Sequence, residues 1–112
     1  MTDSVYKIAI AHAAPVFLDL ERMVDKTCTL IREAARHGAQ MIVFPEVYIP
    51  AFPVWCALQT PIHNHDLFCA LARNSLKIGG SELTTIAEAA RESEVFVSLG
   101  FNEGTSISSG FI

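Results

Sequence analysis

The sequence has no apolar run long enough to cross a bilayer, no Lys/Arg cluster and no cysteine pair at CxxC spacing. Each absence removes a class of protein. Without a long apolar run no membrane span is expected, and Met1-Thr2-Asp3-Ser4 lacks the basic and apolar stretches of a secretory leader. A soluble, cytoplasmic protein with no membrane partner is the expectation. A net charge of −4, from 8 basic and 12 acidic residues, leaves no electrostatic footprint for nucleic acid. Three cysteines, Cys28, Cys56 and Cys69, are an odd number at irregular spacing, which supports neither a disulfide framework nor a zinc knuckle. Gly100, Gly104 and Gly110 do not make the GxGxxG of a dinucleotide site. Repeats, linkers and low-complexity tracts are also lacking, so 112 residues are read as one domain or part of one.

What is present reads as globular: 51% of the residues are apolar, enough for a core and too many for a disordered chain. "YKIAIAHA", residues 6–13, is apolar on both faces, as a strand covered on both sides would be. From Asp19 the period turns helical, with Leu20, Met23, Val24, Thr27, Ile31, Ala34 and Ala35 on one stripe. Asp19 suits the N-cap, Arg36 and His37 the negative end of the dipole, and Gly38 the position after the C-cap. "MIVF", residues 41–44, reads as a second buried strand, stopped by Pro45, which has no N–H for a ladder.

Pro50, Pro53 and Pro61 keep the next stretch irregular. A second helix is expected over about residues 64–76, with Leu67, Phe68, Leu71 and Ala72 inward and Gly79-Gly80 beyond its end. Ser81 suits the N-cap of a third helix that turns Leu83, Ile86, Ala87 and Ala90 inward. "VFVSLGF", residues 95–101, reads as a third strand, "NEGTSISSG" as turn, and apolar character returns at Phe111 and Ile112. The order β-α-β-α-α-β, with long crossovers between short strands, predicts an α/β fold with a mostly parallel sheet. Functional residues in such sheets gather beyond the carboxyl ends of the strands.

Glu46 stands at such an end, in "MIVFPEVYIPAFPVW". Between Phe44-Pro45 and Tyr48 its carboxylate is expected to lose solvent, which makes a carboxylate a better proton acceptor near neutral pH. A glutamate capping a sheet edge would look the same by position alone. The prolines and aromatics that follow suit either loop packing or the apolar wall of a small-molecule pocket.

"VFPEVYIPAFPVW" resembles the first active-site segment of the nitrilase superfamily, the carbon–nitrogen hydrolases, and most closely its nitrilase and cyanide-hydrolysing branch. There the acid is followed by an aromatic, a proline and a Phe/Tyr-Pro-x-Trp stretch, here Glu46, Tyr48, Pro50, Phe52, Pro53 and Trp55. Both flanks, residues 7–46 and 71–103, are similar to the family's opening strands and helices. The resemblance implies an α-β-β-α sandwich of which residues 1–112 form the N-terminal, incomplete part. It also implies homo-oligomers, a nitrile substrate, and no metal or organic cofactor. It makes Glu46 the general base of a Glu-Lys-Cys mechanism, with Tyr48, Phe52 and Trp55 at the substrate.

The family's Lys and nucleophilic Cys follow its third strand, whereas Lys7, Lys26, Lys77 and all three cysteines here precede that point. The cysteines are therefore read as packing residues, and the chain is expected to carry only the acid of the three catalytic groups. Amidase or cyanide hydratase chemistry, or a non-catalytic truncated paralogue that only associates with full-length subunits, are the alternatives. "HNHD", residues 63–66, lacks a third ligand at metal spacing. Glu103, past the third strand, either lines the same cleft or orients its turn.

Overall fold

A computed structural model of the chain describes residues 4–105. The turn expected at the end of "NEGTSISSG", the apolar return at Phe111 and Ile112, and Met1-Thr2-Asp3 lie outside the described residues. Five short strands and three α-helices alternate: β1 (Ile8–Ile10), α1 (Leu20–Arg36), β2 (Met41–Val43), α2 (His65–Arg73), β3 (Leu76–Lys77), α3 (Ser81–Ser93), β4 (Phe96–Ser98) and β5 (Glu103–Gly104). Two 3₁₀ turns, Val54–Ala57 and Pro61–Asn64, occupy the proline-rich stretch between β2 and α2. The expected α/β class holds, but the order differs. β3 intervenes between the second and third helices, and β5 follows the expected third strand, so the order is not β-α-β-α-α-β.

α1 forms where the sequence provides both ends and a stripe. Asp19 accepts the Arg22 N–H at 3.1 Å, and Gly38 leaves the helix at φ +84. A left-handed position of that kind costs a residue without a side chain little. Met23, Val24, Thr27, Cys28, Ile31 and Ala34 are buried along its length. α3 packs beside it. Ile86 and Ala89 are its buried residues, while Ala87, expected inward, is exposed. Gly80 caps this helix and Ser81 is its first helical residue, so the helix starts one position earlier than expected.

β1, β2 and β4 make a parallel sheet in the order β1-β2-β4, with Ile8, Met41 and Phe96 in one row and Ile10, Val43 and Ser98 in another. Alternate residues point to opposite faces of a strand. Ala11, Ile42, Phe44 and Val95 therefore reach the helices and join Met23, Ile31 and Ile86 in the core. The opposite face carries Ile8, Ile10 and Phe96, all exposed. The first strand is expected from its sequence to be covered on both sides. Among the described residues only one side is covered, because α1 and α3 share it.

α2 ends at Arg73, short of the expected residue 76, because Leu76 and Lys77 pair in parallel with Glu103 and Gly104. Asn102 Nδ2 donates to Ser75 Oγ at 2.7 Å and its carbonyl accepts the Leu76 N–H at 3.0 Å, which fixes that register. No helix of the described residues is long and apolar enough to cross a membrane.

Candidate active site

The last hydrogen bond of the regular β2–β4 ladder runs from the Phe44 N–H to the Ser98 carbonyl at 2.8 Å. Pro45 then has no donor. Pairing resumes where the Tyr48 N–H reaches the Gly100 carbonyl at 2.8 Å, reinforced by the Ile49 N–H at 3.4 Å. The first strand thus advances from 44 to 48 while its partner advances only from 98 to 100. The surplus chain is thrown out as a bulge with Glu46 on it, and Glu46–Tyr48 are turn residues. Ile49 bridges Phe101 immediately afterwards, and the Asn102 N–H donates to the Ile49 carbonyl at 2.9 Å. The bulge is pinned on both sides. Val47 inside it sits at φ 43, a left-handed position that a β-branched residue holds only when its surroundings impose it.

Glu46 is exposed. The desolvation expected from its aromatic neighbours is not supplied by the described residues, and the reason is directional. The Phe44 and Tyr48 rings turn into the core, 5% and 2% exposed, and lie 5.2 Å apart at 41°. They flank Glu46 in sequence but are turned inward, and Glu46 itself stays exposed. The Tyr48 hydroxyl points to the Ala14 carbonyl at 3.4 Å, and burial pushes its ionisation upward. Neither the cleft between α1 and the start of α3 nor the one along β1 includes Glu46.

The residues expected at the substrate separate into two groups. Tyr48 and Trp55 are buried, Trp55 with its ring edge-on to Phe68 at 4.8 Å and 83°. Phe52 is 48% exposed, and Val54 and Cys56 are exposed beside it in sequence. The loop therefore has an inward face at Tyr48 and Trp55 and an outward one at Phe52, Val54 and Cys56. Asn64, almost wholly buried, holds it by donating from Nδ2 to the carbonyls of Trp55 and Gln59, both at 3.3 Å. Sequence reading missed Asn64. An asparagine between two histidines in a polar stretch carries no local sign of burial.

The lysines are placed away from the acid or tied elsewhere. Lys7 precedes β1, at the opposite end of the parallel sheet from Glu46, and its Nζ donates to the His37 carbonyl. Lys26 Nζ donates to the Ala14 carbonyl at 2.5 Å, and Lys77 lies in β3. Cys28 is buried, as the packing reading expects, and burial pushes its thiol up despite the opposing pull of Arg32. Cys56 is exposed and not a packing residue, because the 3₁₀ turn that buries Trp55 directs the next side chain outward. Cys69 is half-buried, its Sγ 3.7 Å from His65 Nε2. Glu103 is exposed within the β3–β5 pair.

A parallel α/β layer that presents a carboxylate on a pinned bulge beyond its central strand is an α/β protein organised around its strand ends. Residues 7–109 match the model of the carbon-nitrogen hydrolase family, and the chain belongs to that family, the nitrilase superfamily. It is 41% identical over 105 residues to an arylacetonitrilase of Hypocrea virens, covering 94% of this chain and 31% of that protein. It is 42% identical over 97 residues to a nitrilase of Pseudomonas syringae, covering 87% and 29%. With a cyanide hydratase of Stereum hirsutum it shares 39% identity over 98 residues, covering 88% and 26%. The chain spans less than a third of the length of these curated relatives, matching their N-terminal portion.

Proposed function

We propose that this chain supplies the general base and one wall of the substrate site of a nitrilase-type hydrolase, which converts a nitrile to a carboxylic acid and ammonia. The observation that carries the reading is Glu46, exposed on a bulge beyond the central strand of a carbon-nitrogen hydrolase chain. A base so placed takes the proton of a cysteine thiol as sulfur bonds to the nitrile carbon, giving a thioimidate. It then deprotonates water. The C–N bond breaks with release of ammonia, and a second water cleaves the resulting thioester to the acid. General-base assistance of this kind contributes ~10²–10⁴-fold in rate. The attacking Cys and the Lys that steadies developing charge are contributed by residues other than those described here.

Phe52 is the best-placed wall residue, since it is exposed while Tyr48 and Trp55 are buried beneath the loop. The bare sheet face suits an α-β-β-α sandwich, in which a second sheet stacks on the first at about 10 Å. The cyanide hydratase relative is nearly as similar as the arylacetonitrilase, which supports hydration of cyanide to an amide as a second reading.

The test uses a full-length enzyme carrying residues 1–112; the segment grafted onto the remainder of an arylacetonitrilase serves. Glu46→Gln keeps shape and hydrogen bonding but removes basicity. Turnover is expected to fall at least ~100-fold with melting and assembly unchanged. A variant within a few-fold of its parent returns Glu46 to a structural role. Product analysis with aromatic nitriles and with cyanide separates acid from amide formation.

A further inference from the structure

The bulge that carries Glu46 rests on Gly100, and the contact is closer than any other residue permits. A Cβ on Gly100 falls 2.5 Å from the Pro45 carbonyl oxygen, 2.8 Å from the Val47 nitrogen and 3.0 Å from the Glu46 Cα. All three are backbone atoms, so no change of rotamer relieves the overlap. Gly100 cannot slide away either. Its own carbonyl receives the Tyr48 and Ile49 N–H groups, and the next residue, Phe101, bridges Ile49. Gly100 is therefore required by close approach and not by backbone conformation, because it is not among the positive-φ glycines.

We propose that Gly100 is the positioning residue of the catalytic acid: its missing side chain lets the segment just beyond β4 seat directly against the peptide units on either side of Glu46 and so sets where the carboxylate stands. The proposal rests on the reading of Glu46 as general base. An alanine must push the bulge outward by roughly 0.5–1 Å, and misplacement of about 1 Å at a reacting group costs up to ~100-fold in rate. Val47 adds to the sensitivity. Held at φ 43, it is free to relax once the contact is lost, and the carboxylate of its neighbour turns with it.

In the full-length enzyme carrying residues 1–112, Gly100→Ala is expected to lower kcat ~10–100-fold while KM stays within a few-fold. Gly38→Ala is the control. It strains a φ of +84 at the end of α1 with nothing near its Cβ, so it should lower Tm and spare kcat. Glu46→Asp, which already withdraws the carboxylate, should make Gly100→Ala cost less than in the parent, since residues acting through one group are not additive. Unchanged kcat in a folded Gly100→Ala enzyme, or strictly additive losses, overturns the proposal. If Gly100→Ala does not fold, Val47→Gly added to it frees the bulge. Folding without turnover, measured against Val47→Gly alone, then supports positioning, and recovery of both overturns it. An active Glu46→Gln enzyme removes the base reading itself. An inactive Glu46→Gln beside a fully active Gly100→Ala removes only the role of Gly100.

Discussion

Three aromatic residues that look equivalent in sequence are separated by the direction in which the backbone turns them. Trp55 and Tyr48 are 5% and 2% exposed, Phe52 48%. Truncating a buried tryptophan costs ~3–5 kcal/mol, whereas an exposed side chain away from special features stays within about 0.5 kcal/mol. Trp55→Ala is therefore expected to lose much of a domain's stability, and Phe52→Ala to change which nitriles are accepted at nearly constant Tm. Melting curves and kcat/KM over a panel of aliphatic and aromatic nitriles test both. If Phe52→Ala melts early with an unchanged panel, its exposed face is covered by protein and not by substrate. Trp55 Nε1 and Asn64 Oδ1 are both buried without a partner among the described residues. An unmade buried hydrogen bond costs about 1–3 kcal/mol. Trp55→Phe, which keeps a ring against Phe68 and deletes the orphaned donor, should thus be far milder than Trp55→Ala.

At the scale of elements, α1 was legible and the bulge was not. Asp19, the apolar stripe and Gly38 are local signals, each read within one or two helical turns, and the helix runs between them as Leu20–Arg36. The two-residue strands β3 and β5 have no such signal. Their pairing depends on Asn102 finding Ser75 across 27 residues, and it is this contact that ends α2 early. Pro45 announces the end of the β2 ladder, but nothing in "EVYI" announces that pairing resumes at Gly100. Glu46 was therefore found by position and its exposure was missed. The α1–α3 contact offers its own test through Cys28, whose Sγ lies 3.9 Å from the Thr85 carbonyl. Its thiol ionises at higher pH in the folded chain than in the unfolded one, chiefly because of burial. The associated stability is complete below the ordinary thiol value, about 8.5, and is lost as pH rises through the folded value. Brief alkylation near pH 8 should label exposed Cys56 and spare Cys28. Raising the pH further, through the folded value, should open Cys28 together with loss of helix docking. Equal labelling of the two at pH 8, read by peptide mass spectrometry, refutes the packing.

For the whole molecule the decisive feature is the uncovered sheet face. Ile10 and Phe96 are 79% and 78% exposed, with Ile8 and Tyr6 beside them, and no charged residue stands in the paired rows. The two helices lie on the other side, so the described residues cover only one face of the sheet. Single exposed apolar side chains need no explanation, but a contiguous patch marks a surface that something covers. Two such faces brought together remove on the order of 1,000 Å² from water, near the lower bound for a specific interface. Cover supplied from the same polypeptide escapes most of the association cost of ~4–15 kcal/mol and is favoured over a second copy. Expressed alone, residues 1–112 are therefore expected to associate weakly and reversibly, and to release no ammonia from nitriles. Sedimentation velocity should show the mean mass rising with concentration. Ile10→Lys with Phe96→Lys, which places a charge on two strands of that face and touches no buried residue, should suppress the rise and leave the circular dichroism unchanged. A chain that stays monomeric and melts cooperatively at every concentration shows that the face is stable in water. Association that survives both lysines instead locates the contact at the outer edge of β1 or β4, where unpaired backbone groups are the template.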